Sequence, residues 1–263
     1  MALAPPALAP TVDRLTLADA LFISDLHLSE SQPRTLARFE RFIATEARAH
    51  AELVILGDLF EFWAGDDATD DPIAHKVEAP LAGLSATGVR VYLMHGNRDL
   101  LLGDDFAQRT GVTLLKDPTI ARIDERSVML THGDVYCTLD VEYQRFRAQV
   151  RNPAFQQAFL AKSLAERRAF VGQARAASEA GKQQKSMEIM DVTPQAIDDA
   201  LRGASLTLMI HGHTHRPATH RTTLDGVPTE RWVLPDWDFD TDKVRGGYLR
   251  VGSGAWRVVD LAA

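Results

Sequence analysis

One cysteine, Cys137, stands in 263 residues. That excludes an internal disulfide framework and points to a reducing compartment, the cytosol. No apolar run reaches the roughly 18–20 residues that a membrane-spanning helix needs. Basic residues are not in excess either. The net charge is −7, which argues against general nucleic-acid binding, since that requires a basic face. The first stretch has no early Lys or Arg and is broken by Pro5, Pro6 and Pro10. It does not read as a signal peptide, and residues 1–18 are expected to form a disordered or loosely packed extension. No internal repeat is evident. Hydrophobic content of 45% and charged content of 25% are those of an ordinary globular protein, so residues 19–263 are expected to bury one core.

Against these absences stands one recurring pattern. Five times a short apolar run, of the kind that forms a buried strand, leads into residues suited to binding metals. Leu21–Ile23 leads to Asp25 and His27. Leu53–Leu56 leads to Gly57 and Asp58. Val89–Met94 leads to His95, Gly96, Asn97, Arg98 and Asp99. Ser127–Thr131 leads to His132, and Leu206–Ile210 to His211, Gly212, His213 and His215. Between them, apolar residues at helical spacing predict helices: Leu36, Phe39, Phe42 and Ile43 mark one, and Lys76–Ala86 and Phe106–Thr110 mark two more. From about 140 to 201 the pattern is helical throughout, with an aromatic stripe of Tyr143, Phe146, Phe155, Phe159 and Phe170. This reads as a helical insertion, a lid, between core strands. Arg231–Trp237, Gly246–Gly254 and Ala255–Leu261 read as antiparallel strands that complete a second sheet. The fold class is therefore α/β: two sheets packed together, with helices outside.

In α/β sheets chemistry collects where strands end. Asp25, His27, Asp58, Asn97, His132, His213 and His215 are all oxygen or nitrogen donors. Without a thiolate among them, the set favours Mn²⁺, Fe²⁺ or a catalytic Zn²⁺ over a structural zinc. Seven donors exceed the needs of one tetrahedral ion. Two ions sharing a bridging carboxylate would use them all, and Asp58 is the natural bridge. Such a pair activates water and clamps a phosphoryl group. His95 and His211 read as neighbours rather than ligands, while His50, His75 and His220 lie outside the pattern.

Asp25-Leu26-His27, Gly57-Asp58, Gly96-Asn97-Arg98-Asp99, His132 and Gly212-His213-Thr214-His215 together resemble the calcineurin-like metallophosphoesterases. The resemblance implies a two-sheet αββα sandwich and two divalent metal ions, with manganese the expected pair. It places one ion on Asp25, His27, Asp58 and His215, and the other on Asp58, Asn97, His132 and His213. Arg98 stands where the general family carries a histidine thought to protonate the leaving group. With Thr131–Thr138, Ile189–Val192 and Ile210–Pro217, it is similar to the branch of lipid A biosynthesis that cleaves the pyrophosphate of UDP-2,3-diacylglucosamine. That similarity implies water attacking the α-phosphorus, with UMP and a lipid sugar 1-phosphate as products. It also implies substrate contacts at Asn97, Arg98, Asp140, Ser178, Lys182, Lys185 and His213, although some relatives carry Asn at the Lys182 position. The implied setting is a monomer, peripheral on the cytoplasmic face of the bacterial inner membrane, with a lipid-linked UDP-sugar as partner and no nucleic acid. The aromatic stripe reads either as helix packing or as an acyl-chain groove. Arg145, Arg147, Arg151, Lys162, Arg167, Arg168 and Arg175 read as a solvated face able to favour an anionic bilayer. A general metallophosphoesterase acting on nucleotides or phosphoproteins, and a non-catalytic scaffold of the same fold, are the competing readings.

Overall fold

The computed structural model describes residues 15–182, 189–252 and 254–262, without the side chains of 175–182. In chain order its elements are β1 (Leu15–Leu17), β2 (Asp19–Ile23), α1 (Pro33–Ala44), β3 (Glu52–Leu56), α2 (Pro72–Ala86), β4 (Arg90–Met94), α3 (Asp104–Thr110), β5 (Thr113–Leu115), β6 (Thr119–Ile123) and β7 (Arg126–Leu130). Then follow α4 (Val141–Val150), α5 (Pro153–Leu160), α6 (Leu164–Lys182), α7 (Pro194–Ala204), β8 (Leu208–His211), β9 (Ala218–Leu224), β10 (Val227–Val233), β11 (Gly247–Gly252) and β12 (Ala255–Asp260).

Two six-stranded sheets result, ordered β1-β6-β7-β8-β10-β9 and β12-β11-β2-β3-β4-β5. Between them lies a layer of side chains that includes Phe22, Val54, Leu56, Met94, Ile123, Leu130, Ile210 and Trp232. On the outer face of the second sheet, Leu21, Ile23, Leu53, Ile55 and Leu93 meet Phe39 and Phe42 of α1, Val77 and Leu81 of α2 and Phe106 of α3. Ile197 and Leu201 of α7 cover Met129 and Met209 on the first. Strands β2, β3 and β4 are buried on both faces. Their near-unbroken apolar runs are the signature of parallel strands inside a layered sheet.

Two expectations need correction. The extension expected over residues 1–18 ends sooner. Leu15–Leu17 pairs in parallel with β6, and Leu17 is buried between the sheets; residues 1–14 lie outside the described residues. The C-terminal strands do not together complete a second sheet, nor are all their pairings antiparallel. β10 runs parallel to β8 and drives Trp232 into the inter-sheet core, whereas β11 pairs with β2 and with β12 in the other sheet. Two strands without a strong apolar signal, β6 and β9, went unread. β9 is an edge strand exposed over six of its seven residues, so burial left no periodicity in its sequence.

The insertion's surface is also less uniform than its composition implies. Arg147 and Arg151 pair with buried Asp134, Arg167 with Asp67 and Arg168 with Asp70. Four of the seven cations are thus committed to intramolecular partners. The aromatic stripe divides: Phe155, Phe159 and Phe170 pack on one another, Phe146 is 41% exposed, and Tyr143 turns toward the strand ends.

Candidate metal centre

The loops after β2, β3, β4, β7 and β8 converge. The parallel pairing of β2 and β3 continues past the sheet as a zipped pair of loops. Asp25 N–H donates to Gly57 O (3.1 Å), His27 N–H to Asp58 O (3.0 Å), Leu28 N–H to Leu59 O (2.9 Å) and Glu61 N–H to Leu28 O (3.1 Å). Asp25, His27, Asp58, His213 and His215 all sit at φ between 51° and 68°. Non-glycine residues rarely adopt that conformation, which costs about 1–3 kcal/mol each and tends to accumulate at functional sites.

Two clusters form: Asp25, His27 and His215, and Asp58, His132 and His213. In each, the donor atoms lie within 4.8 Å of one another. Asp58 Oδ2 sits 3.8 Å from His27 Nε2 and 3.8 Å from His132 Nε2, between the two clusters. His132 turns its Nδ1 to Leu56 O (2.8 Å), which leaves Nε2 pointing inward, 3.2 Å from Asn97 Oδ1. The Nε2 atoms of His27 and His215 face each other at 3.2 Å, although the two residues are 188 apart in the chain. Each of these rings turns its Nδ1 toward a carboxylate, Glu61 for His27 and Asp236 for His215. Facing lone pairs backed by outer carboxylates are what a shared cation between the rings would require. Asp25 Oδ2 is occupied by Ser24 Oγ (2.6 Å) and His213 N–H (2.8 Å), while its Oδ1 is buried without a hydrogen bond. This orphan oxygen and this donor set fit a pair of divalent ions.

Charge in the centre is tightly coupled. Burial opposes ionisation of Asp25, but His215, His132 and His27 hold its carboxyl far below the usual range. Burial also opposes a charge on His132, yet Asp58, Asp25 and Asp134 pull it up to about 9. Burial, together with the His132 charge, pushes His213 down to about 3.

All seven expected ligands are therefore brought together, six of them in the two clusters and Asn97 against His132. The two neighbouring histidines have other partners: His95 donates to Leu102 O, and His211 bonds Gly212 O and Arg231. Arg98 lies beside the centre, its N–H donating to Asp58 Oδ1 (2.8 Å). Asp140 caps α4, accepting from Tyr143 N–H at 3.1 Å. Ser178 and Lys182 fall in the last turns of α6, their side chains outside the described residues, as is Lys185 entirely. Sequence reasoning missed the supporting shell. Asp99 is buried and accepts from the N–H groups of Gly96 and Leu59. Tyr143 stacks on His213 with centroids 5.8 Å apart and donates to Asp134. Only spacing from the ligands could have flagged these groups.

A calcineurin-like phosphoesterase family profile matches residues 19–217. Three curated proteins named UDP-2,3-diacylglucosamine hydrolase are similar over most of their length. That of Aromatoleum aromaticum is 48% identical, covering 86% of this chain and 92% of that protein. That of Bordetella pertussis is 45% identical, covering 95% and 98%. That of Cellvibrio japonicus is 48% identical, covering 83% and 91%. Among solved structures, zinc-complexed Vps29 from Entamoeba histolytica matches at 12% identity and a TM-score of 0.42, covering 92% of this chain and 98% of that one.

Proposed function

The chain belongs to the calcineurin-like phosphoesterase family, and on that premise we propose that it hydrolyses the pyrophosphate bond of UDP-2,3-diacylglucosamine. Water attacks the α-phosphorus, and UMP and 2,3-diacylglucosamine 1-phosphate leave. The observation that carries this reading is the pair of donor clusters with Asp58 Oδ2 between them. Asp25, His27, Asp58 and His215 would hold one ion, and Asp58, Asn97, His132 and His213 the other. Oxygen and imidazole donors of this kind suit manganese. When bound, two such ions lower the pKa of water and neutralise charge that grows on the phosphoryl oxygens.

The remaining work falls to the chain itself. His132 and His215 keep inward-facing nitrogens because Leu56 O and Asp236 occupy their other sides. Arg98 supplies a guanidinium fork that cannot deprotonate. That suits a sugar phosphate, which leaves readily near neutral pH and needs its charge met more than it needs a proton. Asn97, Asp140, Ser178, Lys182, Lys185 and His213 complete the substrate contacts. Exposed Leu139, Phe146, Leu160 and Phe170 on or beside α4–α6 support acyl-chain contact, worth about 0.8 kcal/mol per buried methylene. Among the described residues no helix is long and apolar enough to cross a membrane. The proposal is a monomer held peripherally at the cytoplasmic face of the inner membrane.

Rates on the acylated UDP-sugar and on p-nitrophenyl phosphate test this. The wild type should strongly prefer the diphosphate, and Arg98→His should erode that preference by about 10-fold or more. Equal losses on both substrates would remove the argument for Arg98, and a wild-type preference for the monoester would overturn the substrate assignment.

Loading should also be coupled to protons. In metal-stripped protein the His132 pKa of about 9 lies above its ordinary value. His132 therefore carries its proton at pH 7.5, and it contributes stability that is fully present below about pH 6.5 and is lost as pH rises through about 9. Ligation requires neutral Nε2. Manganese titrated at pH 7.5 should therefore displace about one proton from this ring, read as a dependence of binding heat on buffer ionisation enthalpy. Apparent affinity should rise with pH and level off near 9. Heats independent of buffer would count against His132 as a ligand.

A further inference from the structure

Glu61 lies outside every set of residues assigned above to metal or substrate, yet its two carboxylate oxygens face two of them. Oε2 is 3.0 Å from His27 Nδ1, and Oε1 is 3.7 Å from Arg98 Nη1. The first is a close approach of carboxylate to ring nitrogen, short of an aligned hydrogen bond. All three side chains are less than 20% exposed, so the charges are only partly screened. Glu61 is held on stiff backbone. Its N–H closes the last rung of the zipped loops onto Leu28 O, next to the bridge between Leu28 and Phe60. The preceding residue, Phe60, is fully buried against Trp63 and Phe106. The carboxylate thus projects from a fixed point to a ligand of one cluster and to the cation expected to meet the phosphate.

We propose that Glu61 is a positioning residue that sets the ring of His27 and the guanidinium of Arg98 relative to each other, so that metal loading and phosphate recognition share one support. A carboxylate close behind a ligating imidazole orients the ring and raises its basicity. The same charge toward Arg98 restricts a long side chain that would otherwise sample many rotamers. The inference rests on the dinuclear reading above, and the experiment separates the two.

Metal-stripped wild type, Glu61→Gln and Glu61→Asp are titrated calorimetrically with manganese alone, then assayed on the acylated UDP-sugar. Wild type should take up two equivalents. Glu61→Gln should weaken one of them about 10–100-fold, as removal of an outer-shell partner does, and lower kcat/KM by a similar factor. Glu61→Asp keeps the charge on a shorter arm and should do better than Gln. A packing role would reverse that order, because Gln keeps the shape, and the reverse order overturns the proposal. In an Arg98→Ala background, Glu61→Gln should cost clearly less in kcat/KM than it does alone. Full additivity, or unchanged affinity for both equivalents, also overturns it. A wild type that binds no manganese overturns the dinuclear reading, and the proposal falls with it.

Discussion

Asp58→Asn should abolish turnover while the protein stays folded. Asp58 Oδ1 accepts the Arg98 N–H that closes the loop after β4, and an asparagine carbonyl can take that bond over. Oδ2 is the atom placed 3.8 Å from a histidine of each cluster. There asparagine would present an amide N–H₂, a donor with no lone pair for a cation, and both proposed ions would lose their common ligand in one step. Losing one preorganised electrostatic contact costs ~10²–10³-fold in kcat. Here two cations are affected, so the loss should exceed about 10³-fold. Metal analysis should show fewer than two equivalents, with far-ultraviolet circular dichroism unchanged. Asp58 is also the leading cause raising His132, so the proton release on manganese loading should shrink in the same variant. Normal turnover at full metal content would remove Asp58 from the bridge.

Gly96→Ala should damage both stability and activity through one added methyl. A Cβ at this position would collide with the carboxylate and the backbone nitrogen of Asp58. Neither is the free end of a flexible chain. The backbone nitrogen belongs to the zipped loops, and the carboxylate is 2% exposed. Relief requires the loops after β3 and β4 to separate. Overpacking of this kind costs about 1–3 kcal/mol, which for a chain of this size lowers Tm by roughly 2–4 °C per kcal/mol. Displacing Asp58 by as little as about 1 Å can cost 10²-fold in rate. Gly83→Ala in α2 is the matched control. Nothing lies within 4 Å of a Cβ there, and helix propensity should make it stabilising by up to about 1 kcal/mol. An unaffected Gly96→Ala would show that the two loops tolerate separation.

Much of this centre was legible because its proposed ligands stand at strand ends, where the change from apolar to polar is abrupt. Ile23 to Asp25, Leu56 to Asp58 and Ile210 to His213 each cross from core to site within three residues. What stayed hidden depended on distance in space rather than order in the chain. Asp236 backs His215 from a loop after β10, and Glu61 backs His27 from three residues beyond Asp58; a carboxylate in either place reads as an ordinary surface residue. The assignment of β10 to the first sheet was hidden for a related reason. Its polar and apolar residues suit an edge or a central strand equally, and only the parallel register with β8 decides. The arginines of α4 and α6 illustrate the same limit. Composition counts them as a basic face, while four of them are paired, two sharing buried Asp134 and one each on exposed Asp67 and Asp70.

The facing imidazoles of His27 and His215 belong to opposite halves of the sandwich, one following β2 and the other following β8. A partly folded chain with only one sheet assembled would therefore offer a divalent cation an incomplete nest. The cation's binding free energy would be gained only after the halves dock, late on the folding route. A divalent cation bound there should accordingly slow unfolding far more than it accelerates refolding, and protein deprived of it should show a shorter native-state lifetime rather than a failure to fold.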